Sequence, residues 1–557
     1  MIRRRTTSAL AAVALLVPAT AAVAAESGVP EPAGAAEVVD VTIVNLADGH
    51  EIAATVFRPV GADADDRVPM VLHSHGWGGS RETTATGAVA PYLDAGYGVL
   101  SFDQRGFGES TDDKANIMDP AKEGRDVVAV VDYIASLDWV ARDSKANNNA
   151  NANANATDDD PVLFAVGGSY GGGYQFAGAL LEQATREGGT RFDALAPEIT
   201  WHDLNDSLGP QGVPRTLWDT LLILAGANAL PPEVIIGYAV GVVTGTMPDG
   251  TDLPAGVVDQ VAALVEPLSI DAATVAEVLN GPDIVEFLAD NGPSWWTDQG
   301  IQLDIPVIVR QGTTDNLFNL NQGLRNFDLV LTEEARDEST FIGFNGGHAL
   351  PQLLPLGTQG SGDPCTALAA ADFPALTVDF FSTVDPRGQA APIRPEGLKR
   401  FNIATPDGGC LQGDELTSTS VQADLRVPPT LTTGVSLSVH IPIAQGPIDV
   451  AGIPKLRATI SSLGLENRLF AGLSVGTTPL TAQVVQNNVL PIRHAGVARR
   501  VPIEAELPGI GVSVAEGQTL YLTLTAISDM FLLTGSRVPG GMTFHDIVVD
   551  LPAPIDR

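Results

Sequence analysis

The residue best placed for chemistry in this 557-residue sequence is Ser169, in Gly167-Gly168-Ser169-Tyr170-Gly171. A serine hydroxyl is a weak nucleophile at neutral pH and needs a base to take its proton. It also needs hydrogen-bond donors where an attacked carbonyl becomes an oxyanion. The Gly-x-Ser-x-Gly spacing suits a serine on a strained turn, because small flanks let the backbone pack closely. In a chain with 58 glycines the pentapeptide alone recurs by chance. Its flanks decide the matter. Val162 to Val166 is an apolar run that reads as a strand, and a helical pattern follows from about Tyr174 to Gln183. Strand, turn and helix together make Ser169 a candidate nucleophile.

In the α/β-hydrolase arrangement the partners follow in the chain order Ser, then Asp or Glu, then His. After Ser169 the histidines are His202, His348, His440, His494 and His545. His202 comes too early, and the last three lie in a strand-rich C-terminal region. His348, in Phe344-Asn345-Gly346-Gly347-His348, fits a loop at a strand's end and is the expected base. The preceding apolar run, Pro306 to Gln311, leads into Gly312-Thr313-Thr314-Asp315-Asn316. Asp315 is therefore the expected acid, placed to orient the imidazole and stabilise imidazolium. Asp304 precedes that strand, at the wrong end of the sheet, and Asp328 falls in the next helix. For the oxyanion, the backbone N–H of Tyr170 is one expected donor. The backbone N–H of Trp77, in His75-Gly76-Trp77-Gly78-Gly79 after the early strand, is the other. No HExxH or cysteine cluster accompanies His73 and His75, and no Gly-Lys-Ser/Thr follows the glycines. Neither a metal nor a cofactor is expected.

These residues need a sheet to carry them. Val39 to Asn45 and Glu51 to Arg58 read as a hairpin, and Val68 to His73 and Gly98 to Phe102 as short buried strands. Glu123 to Leu137 has helical spacing, with Val127, Val130, Val131, Ile134 and Leu137 on one stripe. Strands alternating with helices imply a parallel sheet. After Glu198 that rhythm stops for about a hundred residues, longer than an ordinary connection. The patterns Leu217 to Leu230, Ala255 to Val265 and Ala272 to Leu279 make this stretch a helical cap, about 199–300. Trp201, Trp295, Trp296 and the Leu217 to Leu230 helix are candidate walls for an acyl site. The rhythm resumes at Ile305. Beyond about 385 come short alternating strands, among them Val435 to Ile441, Lys455 to Ile460, Leu469 to Val475 and Thr519 to Ala526, as in a β-sandwich. The expected domains are thus 26–385 for catalysis and 386–557 for the sandwich. Lys145 to Asp160 is Asn-Ala repeats ending in three aspartates and reads as a disordered, solvated insertion.

The formal net charge is −36, from 67 acidic against 31 basic residues. Such a surface repels nucleic acid and anionic membranes, so neither is an expected partner. Arg3 to Arg5, the apolar run Ala9 to Val17 and Ala22-Val23-Ala24 have the form of a secretory signal, residues 1–25, cleaved near Ala24 or Ala25. The apolar run is too short to span a bilayer, no later segment reads as an anchor, and a secreted protein is expected. In an exported chain the two cysteines, Cys365 and Cys410, are expected to pair.

Several of these motifs occur together in one family. Gly-Gly-Ser169-Tyr170-Gly-Gly, Asp103-Gln-Arg105-Gly-Phe-Gly-Glu-Ser110, Gly312-Thr-Thr-Asp315-Asn and Gly347-His348 resemble the Xaa-Pro dipeptidyl-peptidase and CocE/NonD acyl-esterase family. The resemblance implies an α/β-hydrolase fold with an inserted helical cap and a C-terminal jelly-roll, galactose-binding-like domain. Gly446-Pro447-Ile448-Asp449-Val450-Ala451-Gly452 matches the style of that domain. It further implies a Ser169–Asp315–His348 triad acting on acyl esters, amides or peptides ending in proline. Several members add a tyrosine hydroxyl to the oxyanion hole from the early loop. Here that loop carries Trp77, which offers only its backbone amide. No cap carboxylate is marked as the holder of a peptide's amino terminus. The residues therefore favour an ester or amide substrate over an Xaa-Pro dipeptide. A third class, a cell-surface carbohydrate-binding protein using the β domain, sits poorly with an intact Ser-Asp-His set.

Overall fold

The computed structural model describes residues 37–143, 160–226, 228–248, 253–254, 256–348, 362–384, 394–435 and 437–556. The expected signal segment, its cleavage site and the Asn-Ala repeat lie outside these residues. One compact unit runs from Ala36 to Arg557.

Ten strands build the principal sheet: β1 (Glu37–Val44), β2 (Glu51–Arg58), β3 (Met70–Ser74), β4 (Gly98–Phe102), β5 (Leu163–Gly168), β6 (Ala194–Glu198), β7 (Ile308–Gly312), β8 (Thr340–Phe344), β9 (Phe401–Ala404) and β10 (Cys410–Gly413). Their order is β1-β2-β4-β3-β5-β6-β7-β8-β9-β10. The β1–β2 hairpin joins β4 antiparallel. From β4 through β9 every pairing is parallel, and β10 closes the edge antiparallel to β9. Helices cover both faces, so the central strands are buried along most of their length rather than on alternate residues. Every residue of β3 and β4 is buried.

Flanking the first half of the sheet are α1 (Ala90–Asp94), α2 (Glu123–Ser136) and α3 (Tyr170–Thr185). The apolar stripe of α2, with Val127, Val130, Val131 and Ile134, is buried. Gly178 of α3 leaves the space that Val127 fills. Between β6 and β7 stand α4 (Leu204–Leu208), α5 (Thr216–Gly226), α6 (Pro232–Thr244), α7 (Val257–Val265), α8 (Ala272–Val278), α9 (Ile284–Phe287) and α10 (Pro293–Asp298). The helix expected to run to Leu230 stops at Gly226, where a side chain would collide with the Trp77 indole. Beyond β7 lie α11 (Leu320–Arg325), α12 (Glu333–Glu338) and α13 (Phe373–Val384). None of the described helices is long and apolar enough to cross a membrane.

From Glu415 the chain is antiparallel β-structure. One sheet contains Glu415–Gln422, Gly541–Ile555, Lys455–Leu463 and Ala498–Glu506. A second contains Val439–Gln445, Thr519–Thr525, Glu466–Gly476 and Gln483–Val484. Leu456, Ile460, Leu469, Leu473, Leu522 and Phe544 share a buried core. This region holds the cap firmly. Arg537 donates to the Val242 carbonyl at 2.6 Å, Arg468 to Thr246 Oγ1 at 2.7 Å, and Thr216 Oγ1 to the Leu532 carbonyl at 2.5 Å.

Three expectations change. The catalytic sheet does not end near 385: β9 and β10 extend it to Gly413, because these strands pair beside β8. Cys410 consequently lies on an edge strand of the catalytic sheet and not in the sandwich. Asp160, expected in a solvated acidic loop, is buried; its carbonyl accepts the Asp143 N–H at 2.8 Å where the two stems of the insertion meet.

Cys365 and Cys410 form a disulfide with Cα atoms 5.2 Å apart and a sequence separation of 45. It ties the segment after β8 back to β10. On the chain-entropy model, closing such a loop stabilises by about 4 kcal/mol. A Cys365→Ser/Cys410→Ser double variant should unfold at clearly lower denaturant concentration than the oxidised protein. Coincident unfolding curves, or two alkylatable thiols in the non-reduced denatured protein, contradict the bond.

Candidate active site

The three expected polar residues meet at the C-terminal ends of parallel strands. Ser169 follows β5, Asp315 follows β7 and His348 follows β8. Ser169 Oγ lies 2.9 Å from His348 Nε2, and His348 Nδ1 bonds to Asp315 Oδ2. The paired carboxylate keeps the proton on Nδ1, which leaves Nε2 free to accept from the serine hydroxyl.

Local packing explains why Ser169 reaches this position. Its φ of 57° and ψ of −118° lie outside the helical and extended regions. Its N–H donates to the Glu198 carbonyl on β6 at 3.0 Å. A Cβ on Gly167 would come within 2.5 Å of the Gly171 carbonyl oxygen, and one on Gly172 within 2.8 Å of the Glu198 carbonyl oxygen. The glycines around Ser169 are thus demanded by backbone crossings. The helix begins at Tyr170 at once, four residues earlier than the sequence pattern suggested.

Asp315 is fully buried. Its Oδ1 accepts the N–H groups of Leu317 and Phe318, both at 2.9 Å. That leaves Oδ2 for the imidazole. From the β region, Asn488 Nδ2 donates to the Asp315 carbonyl at 2.8 Å. The next residue, Asn316, accepts from Trp218 Nε1 at 2.8 Å through its side chain and from buried Arg215 through its carbonyl. The His348 ring sits edge-on to Phe318 and Trp218, with centroids 5.0 and 5.7 Å away. The alternative acids stand apart. Asp304 is exposed and accepts from Thr332 Oγ1, and Asp328 lies in the Asn326–Val330 π-helical turn.

The loop after β3 lies against the nucleophile. A Cβ on Gly76 would be 3.5 Å from the Gly168 carbonyl oxygen and 3.9 Å from Ser169 Cβ. Trp77 turns its indole away: Nε1 donates to the Leu222 carbonyl at 2.9 Å, and the ring packs edge-on to Phe107 and Tyr170. His75 braces the loop from below. Its Nδ1–H donates to the Gly76 carbonyl at 2.8 Å, and Nε2 accepts the Gln104 N–H at 3.1 Å. Acceptance at Nε2 requires the neutral ring. The Tyr170 N–H opens a helix and has no intrahelical acceptor.

Ser169 faces a cleft of about 500 Å³, including its open mouth, walled by Trp77, Ile117, Trp201, Leu222, Tyr238 and Phe318. Trp201 and α5 were expected here. Trp295 and Trp296 were not placed correctly: they pack edge-on against one another, and Trp296 borders a separate small cavity behind α3. Ile117 and Tyr238 carried no signal in the sequence. Ile117 and Met118 both adopt positive φ, 63° and 68°. The buried Glu123 carboxylate holds them there, accepting the N–H groups of Asn116 at 2.6 Å and Asp119 at 3.1 Å.

This sheet, with a serine, a histidine and an aspartate at its strand ends, defines an α/β-hydrolase with a serine-hydrolase constellation. A sequence model described as "X-Pro dipeptidyl-peptidase (S15 family)" matches residues 48–349, more than half of the chain, and the chain belongs to that family. Among solved structures it is similar to an alpha-amino acid ester hydrolase, with TM-score 0.61 and 12% identity, covering 96% of this chain and 100% of that one. A CocE/NonD family hydrolase from Staphylococcus aureus gives TM-score 0.59 and 11% identity over 93% and 97% of the two chains. An aminopeptidase from a Thaumarchaeota archaeon gives 0.60 and 13% over 95% and 98%. At such identities these likenesses speak to fold. The quorum-quenching protein AidA of Acinetobacter baumannii is 29% identical over 218 residues, 36% of this chain and 63% of AidA. The chain spans 43% of an uncharacterized 31.7 kDa protein of Escherichia coli.

Two outcomes follow. Asp315→Asn should fold normally yet lose turnover by about 10³–10⁴, as in other triads, while Asp304→Asn and Asp328→Asn stay near wild type. Near-wild-type turnover by Asp315→Asn in a steady-state assay contradicts the assignment. The second outcome concerns His73, under the same loop, whose Nδ1 lies 2.9 Å from Ser101 Oγ. Burial, with His75 beside it, pushes its imidazole down to about 4 from 6.5. Below pH 6.5 the unfolded chain binds a proton that the folded chain refuses, so stability falls as pH drops from about 6.5 to about 4. His73→Gln should flatten the dependence of melting temperature on pH in that window. An unchanged slope refutes this.

Proposed function

We propose that this chain is a secreted serine hydrolase that cleaves acyl esters or amides through an acyl-enzyme on Ser169. His348 Nε2 takes the Ser169 proton as Oγ attacks the substrate carbonyl, and Asp315 stabilises the imidazolium. The backbone N–H groups of Tyr170 and Trp77 receive the oxyanion. His348 then gives its proton to the leaving alcohol or amine, the carbon–heteroatom bond breaks, and the acyl group stays on Oγ. Water, deprotonated by the same histidine, releases the acid and restores the serine.

The observation that carries this reading is the Ser169–His348–Asp315 relay opening onto an apolar cleft. Family membership supports hydrolysis of esters or peptides. The cleft wall favours the ester. None of the side chains lining it is charged. A dipeptide's N-terminal ammonium would be buried there without a carboxylate, at a cost of several kcal/mol. The signal-like N-terminus and the Cys365–Cys410 bond support export.

p-Nitrophenyl butyrate and glycyl-proline p-nitroanilide tested side by side measure the preference. The reading expects kcat/KM for the ester to exceed that for the anilide by at least about 10², because the anilide's amine terminus finds no partner. A faster anilide reverses the assignment to an exopeptidase.

A further inference from the structure

The mechanism leaves two buried polar side chains near the cleft unused. Tyr238, on α6, lines the cleft and is 4% exposed, yet its hydroxyl has no hydrogen-bond partner among the described residues. Asp219, on α5, is 1% exposed, and neither carboxylate oxygen has such a partner. Buried polar groups are overwhelmingly hydrogen-bonded, so two orphans together call for an explanation.

Their placement supplies one. Leu222 and Ile223 line the cleft and follow Asp219 by three and four residues; Gly226, one turn further, packs on Trp77. Residues at that spacing share a helix face, so Asp219 stands one turn behind the two α5 residues that line the cleft, close to Tyr238 but not on the cleft wall itself. Its charge reaches the Tyr238 phenol, which burial and this neighbour push upward. The Asp219 carboxyl is itself held well above the usual carboxylate range by burial.

We propose that the Tyr238 hydroxyl, with Asp219 behind it, forms a polar terminus of the acyl cleft that hydrogen-bonds an uncharged hydroxyl or carbonyl carried on the substrate's acyl chain. This deepens the ester-hydrolase reading and rests on it. The charge balance excludes the other candidates. An ammonium would meet no carboxylate on the cleft wall, and Asp219 behind it already feels the guanidinium of Arg215, just ahead of α5, which bonds the Ser207 and Asn316 carbonyls. A carboxylate would meet no basic side chain on the cleft wall. An unsubstituted alkyl chain fills the apolar walls but leaves the Tyr238 hydroxyl unpaired, whereas a hydroxylated chain of matching length pairs it.

The test compares p-nitrophenyl esters of six- to ten-carbon acids, each with and without a terminal hydroxyl, on wild type, Tyr238→Phe, Asp219→Leu and Asp219→Asn. In water-facing clefts a terminal hydroxyl lowers affinity for an apolar wall. Here wild type should favour the hydroxylated ester at one chain length. The ratio of kcat/KM values, hydroxylated over plain, should fall about tenfold in Tyr238→Phe and Asp219→Leu. Asp219→Asn, which keeps a polar side chain of the same shape beside Tyr238, should retain most of it. Equal ratios in wild type and Tyr238→Phe at every chain length overturn the proposal, even if Asp219→Leu fails to fold. Turnover of no ester at all, with Ser169 unlabelled by a fluorophosphonate, overturns the hydrolase reading instead, and this proposal with it.

Discussion

Ser169 is held in a backbone conformation that costs roughly 1–3 kcal/mol for a residue with a side chain. The chain accepts it because three backbones crowd the turn. The Ser74 carbonyl at the end of β3, the Glu198 carbonyl at the end of β6 and the first turn of α3 meet where Gly167, Gly171 and Gly172 leave no room for a Cβ. The Glu198 carbonyl also takes the Ser169 N–H. Strand order β3-β5-β6 brings those carbonyls to either side of the nucleophile. The exposed Oγ is thus a property of the sheet's centre, and a wider residue at any of these glycines would move it.

The proposed base and acid depend on this position from the other half of the sheet. His348 can meet Ser169 only because β8 lies two strands beyond β6, and Asp315 reaches His348 from the strand between. Asp315 is fixed by its own turn through Leu317 and Phe318, and by the β region through Asn488. Arg215 adds a cap residue that bonds the neighbouring Asn316 carbonyl. Cap, catalytic sheet and sandwich therefore converge on one loop. This gives the C-terminal region a role in supporting the triad and the cap, apart from any ligand of its own.

What the sequence made legible follows the range of the physics. The strand–turn–helix around Ser169 is local, and its glycines announce close backbone crossings. Asp315 and His348 were legible because loops at strand ends recur in a fixed chain order, so position along the chain stands in for position in space. The cleft was less so. Trp77, Ile117, Tyr238 and Phe318 come from four separate segments whose meeting is decided by how the cap sits. Trp295 and Trp296 were aromatic and near in sequence, but they pack into each other. Helix ends were less legible: α5 ends at Gly226, where a side chain would meet the Trp77 indole, short of the pattern read to Leu230. The domain boundary was set too early, since β9 and β10 are short strands, and β9's partner, β8, lies well back in the chain. Asp160 looked solvated beside its acidic neighbours, yet it closes the stem of its loop.

The central claim is that Ser169 becomes acylated during turnover. Rapid acid quench of the protein mixed with excess p-nitrophenyl butyrate, followed by peptide mapping, measures it directly. The account predicts a transient addition of one butyryl group on the peptide that carries Ser169, decaying as product forms and absent from Ser169→Ala. A butyryl group on any other residue, or ester turnover that persists undiminished in Ser169→Ala, would contradict it.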